Sequence, residues 1–275
     1  MRTPTVTDER AIGVFDSGVG GLTVLDALRR RLPAESFLYL GDTARLPYGT
    51  KSPETIRRYA RQAAGKLIER GVKLLVIACN TASAVAVEDL TEAFAPVPVI
   101  GVIEPGAEAA CAATRTGHVV VIGTEGTVRG GAYQRAIARR QPDIRVDALA
   151  CPLFVALAEE GWVDGPIVEA VVRRYLEPRL EDLGHGKVDT LVLGCTHFPV
   201  LRAAIQRVCG PGVTLVDSAE TTASVVAGRV ERVASGSGVG GVRFIATDAA
   251  ERFARVGGTF LGAAIAAEQI ELLDL

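Results

Sequence analysis

Short apolar runs alternate with longer stretches of helical periodicity along most of this chain. Five such runs lie at residues 11–15 (AIGVF), 37–42 (FLYLGD), 72–78 (VKLLVIA), 118–124 (HVVVIGT) and 189–194 (DTLVLG). Nearly continuous apolar strands are typical of parallel sheets that helices cover on both faces. A hydrophobic fraction of 48% agrees with two covered faces. The alternation therefore predicts the α/β class, with doubly wound parallel sheets.

Two of these runs lead into the same kind of turn. Residues 73–85 read KLLVIACNTASAV, and residues 189–201 read DTLVLGCTHFPVL. Each contains an apolar strand, a small residue, a cysteine, two polar residues and then a predicted helix. Ligands of open α/β sheets bind beyond the carboxyl ends of the strands. We therefore expect two similar halves that face each other, with Cys79 and Cys195 on opposite walls of one cleft.

Length, charge and cysteine usage narrow the class further. A chain of 275 residues can form one large domain or two smaller ones. The net charge of −2 gives no reason to expect nucleic acid or an anionic membrane as a partner. No apolar run reaches the roughly 18 residues that span a bilayer, and the polar start MRTPTVTDER is not a secretory signal. Five cysteines without tight spacing favour a reducing compartment, so we expect a cytoplasmic enzyme.

The two matched cysteines suggest acid–base chemistry. A single cysteine at a strand end is more often a buried, inert residue, but two at equivalent turns favour a shared function. A helix N-terminus next to each thiol is expected to lower its pKa from about 8.5. Two such groups on opposite faces of a substrate can remove a proton from one face and return a proton to the other. The pattern therefore predicts an amino-acid racemase without a cofactor, in which Cys79 and Cys195 are the two bases.

Polar residues at neighbouring strand ends are candidates for binding the substrate. The expected donors to its carboxylates are Ser17 with the 18–21 backbone, Asn80, Thr81, Thr124, Thr196 and His197. Asp16 can accept from the substrate ammonium group or act on Cys79, and His197 can be the hydrogen-bond partner of Cys195. Other interpretations stay open at this point. DSGVGG can be only a tight turn, since Thr23 occupies the third glycine position of a dinucleotide motif, and Asp16 can be only a helix cap.

Two glutamates end an apolar stretch at residues 151–158. Either Glu159 or Glu160 lines the cleft, or both belong to a solvated helix end; the sequence leaves this choice open. Cys111, Cys151, Cys209, His118 and His185 are interpreted as structural. Nearer the C-terminus we predict a flexible loop at 235–241 and a final helix over about 259–270.

With these residues in view, the chain resembles the glutamate racemase family over nearly its full length. The matching segments are 14–24 (VFDSGVGGLTV), 41–54 (GDTARLPYGTKSPE), 76–84 (VIACNTASA), 101–110 (GVIEPGAEAA), 121–133 (VIGTEGTVRGGAY), 150–161 (ACPLFVALAEEG) and 191–201 (LVLGCTHFPVL). The resemblance implies two α/β domains related by pseudo-twofold symmetry, with the active site between them. It also implies that residues 1–101 plus 217–275 form one domain and residues 102–216 the other.

The same resemblance implies roles for individual residues. Cys79 is expected to act on D-glutamate and Cys195 on L-glutamate, with Asp16, Glu159 and His197 as supporting acids and bases. The implied substrate contacts are Asp16, Ser17, Pro47, Tyr48, Gly49, Asn80, Thr81, Thr124, Thr196 and His197. It further implies no cofactor and no metal, a homodimer, and supply of D-glutamate for peptidoglycan synthesis.

Three alternatives compete with this interpretation. A racemase of the same superfamily that acts on aspartate or a hydantoin has the same two cysteines. An amino-acid-binding or regulatory protein with two lobes holds its ligand without turning it over. A metal site formed by Cys79, Cys195 and His197 has a weaker basis, because Cys-x-His supplies only two local ligands.

Overall fold

Two parallel sheets form the centre of the molecule. The computed structural model describes residues 8–179, 187–233 and 240–275. The larger sheet contains β1 (Ile12–Asp16), β2 (Phe37–Gly41), β3 (Leu74–Ile77), β4 (Val99–Gly101), β9 (Val242–Ala246) and β10 (Ile270–Leu272). The smaller sheet contains β5 (His118–Gly123), β6 (Arg145–Ala150), β7 (Thr190–Gly194) and β8 (Thr214–Asp217). Every pairing is parallel, which confirms the predicted α/β class.

The same strand order occurs in both sheets. The larger sheet runs β10-β9-β2-β1-β3-β4 and the smaller β6-β5-β7-β8, so that β2-β1-β3-β4 corresponds to β6-β5-β7-β8. In this correspondence β3, which precedes Cys79, matches β7, which precedes Cys195. Asp16, at the end of β1, likewise matches Gly123, at the end of β5. The internal similarity of the sequence thus corresponds to a repeated topology.

Helices connect the strands and cover the sheets. They are α1 (Leu22–Arg31), α2 (Pro53–Glu69), α3 (Asn80–Ala93), α4 (Ile103–Ala113), α5 (Glu125–Gly130), α6 (Ala132–Arg140), α7 (Pro152–Glu159), α8 (Pro166–Leu176), α9 (Arg202–Cys209), α10 (Ser218–Val233) and α11 (Ala250–Leu261). Single 3₁₀ turns lie at Thr43–Arg45, Tyr48–Thr50, Glu177–Arg179, Phe198–Leu201 and Ala267–Gln269.

Alternate strand residues enter different hydrophobic cores. In β1, Val14 packs with residues of α1, α10 and α11, whereas its neighbour Phe15 packs with residues of α2 and α3. In β5, Val120 and Val121 separate in the same way between two cores. Because each sheet buries both faces, the sheets are doubly wound, as the continuous apolar runs predict.

The C-terminal part differs from the sequence-based expectation. The predicted helix over 259–270 is wrong: α11 lies earlier, at Ala250–Leu261, and ends at Gly262 with φ +67°. Two glycines within α11 weaken its sequence signal, yet a Cβ at Gly257 would come within 2.7 Å of Leu22 in α1. The chain then forms β10, whose Ile270 pairs with Phe244. Of the predicted loop at 235–241, residues 235–239 lie outside the described part of the chain.

Helix α10 packs against both α1 and α4, and so joins the layers that cover the two sheets. The strands of the larger sheet come from residues 12–101 and 242–272, and those of the smaller sheet from 118–217. On this basis we propose the division into residues 1–101 plus 217–275 as the first domain and 102–216 as the second.

Candidate active site

Cys79 and Cys195 line one cavity between the carboxyl ends of the two sheets. The cavity holds about 180 Å³ and is lined by Ser17, Pro47, Tyr48, Gly49, Thr50, Cys79, Asn80, Thr81, Thr124, Glu125, Pro152, Val155, Cys195, Thr196 and His197. A single water needs about 10–15 Å³ of such space. The cavity therefore has room for a molecule of amino-acid size, with one cysteine from each sheet on its wall.

Cys79 stands at the start of α3. Its Sγ accepts a hydrogen bond from the Ala82 backbone N–H at 3.4 Å and lies 3.4 Å from the Ser17 Oγ. Burial raises the pKa of the Cys79 thiol to about 12, and the nearby Asp16 carboxyl adds to the rise. The expected lowering by the helix N-terminus is wrong for this cysteine. The loss of hydration outweighs one weak N–H bond and the helix dipole.

Asp16 lies beneath the cavity wall and is fully buried. Its Oδ2 accepts from the Gly18 backbone N–H at 2.9 Å and so closes the turn. Asp16 is not the helix cap, because Gly21 is the N-cap residue of α1. Its Oδ1 is buried and has no hydrogen-bond partner in the described part of the chain. Burial raises the pKa of Asp16, and the positive charge of His197 opposes the rise. An acceptor left free in this way is suited to a cationic group of a ligand.

Cys195 has different neighbours. His197 Nδ1 lies 3.8 Å from its Sγ, and His197 Nε2 lies 3.1 Å from Glu159 Oε1. The other Glu159 oxygen accepts from Arg252 Nη2 at 2.6 Å. Burial by itself lowers the pKa of His197, but the hydrogen bonds to Cys195 and Glu159 prevail and raise it to about 10. The bond to His197 lowers the pKa of Glu159, so the pair is imidazolium and carboxylate at neutral pH.

The glycine-rich turn lets His197 approach the first domain. A Cβ at Gly20 would lie 2.4 Å from both His197 Nδ1 and Thr196 Oγ1, closer than real side chains come. Thr23 Oγ1 donates to the Thr196 carbonyl at 2.9 Å across the same contact. The DSGVGG turn is thus more than a tight turn, because it is where the two halves meet.

Hydroxyl and amide groups join the two halves on the other side of the cavity. Thr81 Oγ1 is 2.9 Å from Thr124 Oγ1 and 3.3 Å from Thr127 Oγ1. The Tyr133 hydroxyl donates to Asn80 Oδ1 at 2.8 Å. Asn80 Nδ2 is buried and has no partner within the described chain. Because Tyr133 occupies the oxygen, Asn80 has its amide N–H groups free for a ligand.

No lysine or arginine is among the described residues that line the cavity. Hydroxyl, amide and backbone N–H groups are therefore the available donors to an anionic ligand, besides His197. Tyr48 contributes its ring to the wall, since its hydroxyl donates to Asp42 Oδ2.

The structure brings most of the predicted residues together. Nine of the ten predicted substrate contacts and both cysteines line the cavity; Asp16 lies behind its wall, as does Glu159. Glu159, not the exposed Glu160, reaches His197. Sequence reasoning missed Thr50, Glu125, Pro152 and Val155 on the wall, and Thr23, Thr127, Tyr133 and Arg252 behind it. Strand-to-helix turns mark Ser17, Asn80 and Thr196, and the resemblance supplied Pro47, Tyr48 and Gly49. Thr50 and Glu125 directly follow predicted residues, whereas Pro152 and Arg252 reach the site through contacts between distant segments.

The remaining candidates lie elsewhere. His118 is paired with Asp147 at 2.8 Å, and Cys111, Cys151 and Cys209 are buried. His185 is outside the described residues. Within the described ranges, no group of three or more His, Cys, Asp or Glu side chains is placed to hold a metal ion, and no helix has the length and apolarity needed to cross a membrane.

Two α/β domains that share a small cavity, with a thiol from each on its wall, define a two-domain α/β enzyme of the isomerase class. The chain belongs to the Asp/Glu/Hydantoin racemase family, whose model matches residues 12–226. It is 52% identical over 256 residues to a glutamate racemase of Geobacter metallireducens, which covers 92% of this chain and 93% of that protein.

Solved structures agree with this membership. A glutamate racemase from Thermus thermophilus, in complex with beta-chloro-D-alanine, is 46% identical, with a TM-score of 0.87 over 98% of this chain and 99% of the other. A glutamate racemase from Francisella tularensis, in complex with D-glutamate, is 37% identical, with a TM-score of 0.86 over 97% of each chain.

Proposed function

We propose that this protein is a glutamate racemase that interconverts L-glutamate and D-glutamate by proton transfer between two thiols. One observation carries the proposal: Cys79 and Cys195 follow equivalent strands of two sheets and line the same small cavity. Two bases on opposite faces of one carbon atom are what inversion without a second substrate requires.

The proton balance follows from this arrangement. The thiolate on one side takes the α-proton and becomes a thiol, while the electron pair of the broken C–H bond stays on the substrate carbon. The thiol on the other side gives its proton to the opposite face and becomes a thiolate. The reverse reaction uses the same groups in exchanged roles. Each turnover leaves the two protonation states exchanged, so proton exchange with solvent restores the enzyme for the same enantiomer.

Neutral donors bind the two carboxylates of glutamate in this proposal. Ser17, Thr196 and the free amide N–H groups of Asn80 face the cavity, which has no lysine or arginine on its described wall. The ammonium group is assigned to the side of Asp16. Its positive charge offsets the burial that raises the pKa of Cys79 to about 12, and so favours the thiolate when substrate is bound.

Substrate choice is tested by a circular-dichroism assay with L-glutamate, D-glutamate and L-aspartate. We expect turnover of both glutamate enantiomers and at most weak turnover of aspartate. Turnover of aspartate alone would contradict the proposal and show that the protein is an aspartate racemase. The close relatives that support glutamate are themselves glutamate racemases.

Variants that lack one thiol distinguish the proposed racemase from a non-catalytic amino-acid-binding protein. Cys79→Ser and Cys195→Ser are expected to bind glutamate, as measured by calorimetry, but not to racemise it. Undiminished racemisation by either variant would contradict the two-thiol reaction.

We also propose that the enzyme is a homodimer that works in the cytoplasm. Exposed apolar side chains at Leu153, Trp162 and Ile167 support a homodimer, and light scattering during size-exclusion chromatography measures its mass. Five free cysteines suit a reducing cytoplasm. D-glutamate made there would serve peptidoglycan synthesis.

A further inference from the structure

The hydrogen bonds behind Cys195 include Arg252, a residue that the sequence does not mark as part of the site. We propose that Arg252 is a positioning residue that acts, through Glu159 and His197, on proton transfer at Cys195 and not at Cys79. The assignment rests on the proposed racemase function.

Each carboxylate oxygen of Glu159 has a different hydrogen-bond partner. Its Oε1 is 3.1 Å from His197 Nε2, and its Oε2 accepts from Arg252 Nη2 at 2.6 Å. Arg252 and Glu159 are 93 positions apart and belong to the two different proposed domains. With Arg252 in place, the carboxylate has one partner for each oxygen, so its rotation is fixed and with it the direction of the imidazole.

Both charges stand at the unfavourable end of a helix. Arg252 is the third residue of α11, where the helix dipole disfavours a cation, and Glu159 is the last residue of α7, where it disfavours an anion. Local helix stability therefore does not account for either charge. Their pairing across the proposed domains accounts for both charges. The Arg252 side chain is 46% exposed and that of Glu159 18%, and an ion pair open to water on one side contributes little to folding.

The same helix also holds the imidazole by packing. Phe260 lies eight positions, a little over two turns, after Arg252 in α11, and its ring meets the His197 ring edge to face, with centroids 5.0 Å apart. Helix α11 thus fixes the ring through Phe260 and the charge behind it through Arg252. Cys79 has no such connection within the described ranges, where its Sγ makes hydrogen bonds to the Ser17 hydroxyl and the Ala82 N–H.

Overall rate constants would hide a one-sided effect. The two enantiomers have equal free energy in water, so any variant has the same kcat/KM in both directions. The primary isotope effect separates the two steps, because it reports how strongly removal of the α-proton limits each direction. If transfer at Cys195 slows, proton removal from L-glutamate becomes more limiting and removal from D-glutamate becomes less limiting.

The experiment compares Arg252→Gln with Arg255→Gln, which removes an exposed charge from the same helix. We expect Arg252→Gln to lower kcat about tenfold, less than the roughly 100-fold that a misplacement of about 1 Å can cause. Its isotope effect on kcat/KM should rise with α-deuterated L-glutamate and fall with α-deuterated D-glutamate. Arg255→Gln should match the wild type, and Arg252→Lys should restore most of the rate.

Isotope effects that stay at wild-type values, or that move together for both enantiomers, would overturn the assignment. Equal thermal midpoints of the Arg252→Gln variant and the wild type would show that a rate change is not caused by unfolding. A variant midpoint so low that unfolding at the assay temperature accounts for the lost activity would also overturn the assignment. If the wild type does not racemise glutamate, the proposed function fails instead, which the same assay shows before any variant is made.

Discussion

The two sides of the cavity use the same reactive group in different surroundings. Cys79 is held by a hydroxyl and one backbone N–H, above an Asp16 carboxyl with a free oxygen. Cys195 has an imidazole beside it, and a carboxylate and a guanidinium behind that ring. The repeated strand order places the thiols equivalently, but it does not make their environments equal.

The two surroundings imply different ways of stabilising the proposed thiolates. His197, with a pKa raised to about 10, gives Cys195 a resident counter-charge. Burial raises the pKa of Cys79 to about 12, so in the proposed reaction its thiolate depends on the positive charge of the substrate ammonium group. In that proposal the Cys195 side carries its counter-charge before the substrate binds, and the Cys79 side gains one only with the substrate.

The largest expected effect comes from removing either thiol. Cys79→Ser and Cys195→Ser should each lower racemisation on the order of 10²–10⁴-fold, the usual contribution of a general acid or base. In deuterated water, NMR should show α-proton exchange only from L-glutamate with Cys79→Ser, and only from D-glutamate with Cys195→Ser. Cys111→Ser, a buried cysteine away from the cavity wall, is the matched control. Exchange from both enantiomers in one variant would contradict the assignment of each thiol to one enantiomer.

Substitutions of the supporting residues should affect the reactions of the two enantiomers to different extents. His197→Asn removes the counter-charge of Cys195 and should slow α-proton exchange from L-glutamate on the order of 100-fold, with a smaller effect on D-glutamate. Asp16→Asn removes the negative charge assigned to the ammonium group, so it should raise KM for both enantiomers. Equal effects of His197→Asn on both exchange rates would show that His197 serves the whole cavity.

Gly20→Ala tests the contact between the halves. Its Cβ would meet His197 and Thr196 at 2.4 Å, whereas a Cβ at Gly18 would meet only Leu46, at 3.5 Å. We expect Gly20→Ala to lower the free energy of unfolding by about 1–3 kcal/mol, the usual cost of overpacking, and Gly18→Ala to cost far less. Urea denaturation measures both, and equal losses would contradict the close packing of His197 against the turn.

The last comparison concerns pH. Because the folded-state pKa of His197 is raised from 6.5 to about 10, its contribution to stability is complete below about pH 6.5 and is lost as pH rises through 10. The stability advantage of the wild type over His197→Asn should therefore shrink between pH 7 and pH 10. Thermal midpoints of the two proteins at both pH values check this, and an advantage that grows with pH would contradict the sign.

Much of the site could be predicted because it is local. A buried strand that stops at a cysteine before a helix marks its own position beside a ligand, so Cys79, Asn80, Cys195 and His197 were found from the residues near them. The final helix was misplaced because Gly257 and Gly258 interrupt the pattern of α11. Gly257 serves close packing against Leu22 of α1, a contact that no local pattern contains.

Local sequence patterns were enough to predict the α/β class, the matched cysteines and the polar residues that follow the strands, since hydrophobic periodicity and turn residues act over a few neighbours. The folded chain was needed to show that Glu159 and not Glu160 reaches His197, that burial outweighs the helix dipole at Cys79, and that Arg252 belongs to the same chain of contacts. Each of these depends on which distant segments exclude water from a group, and burial and long-range pairing are properties of the folded chain.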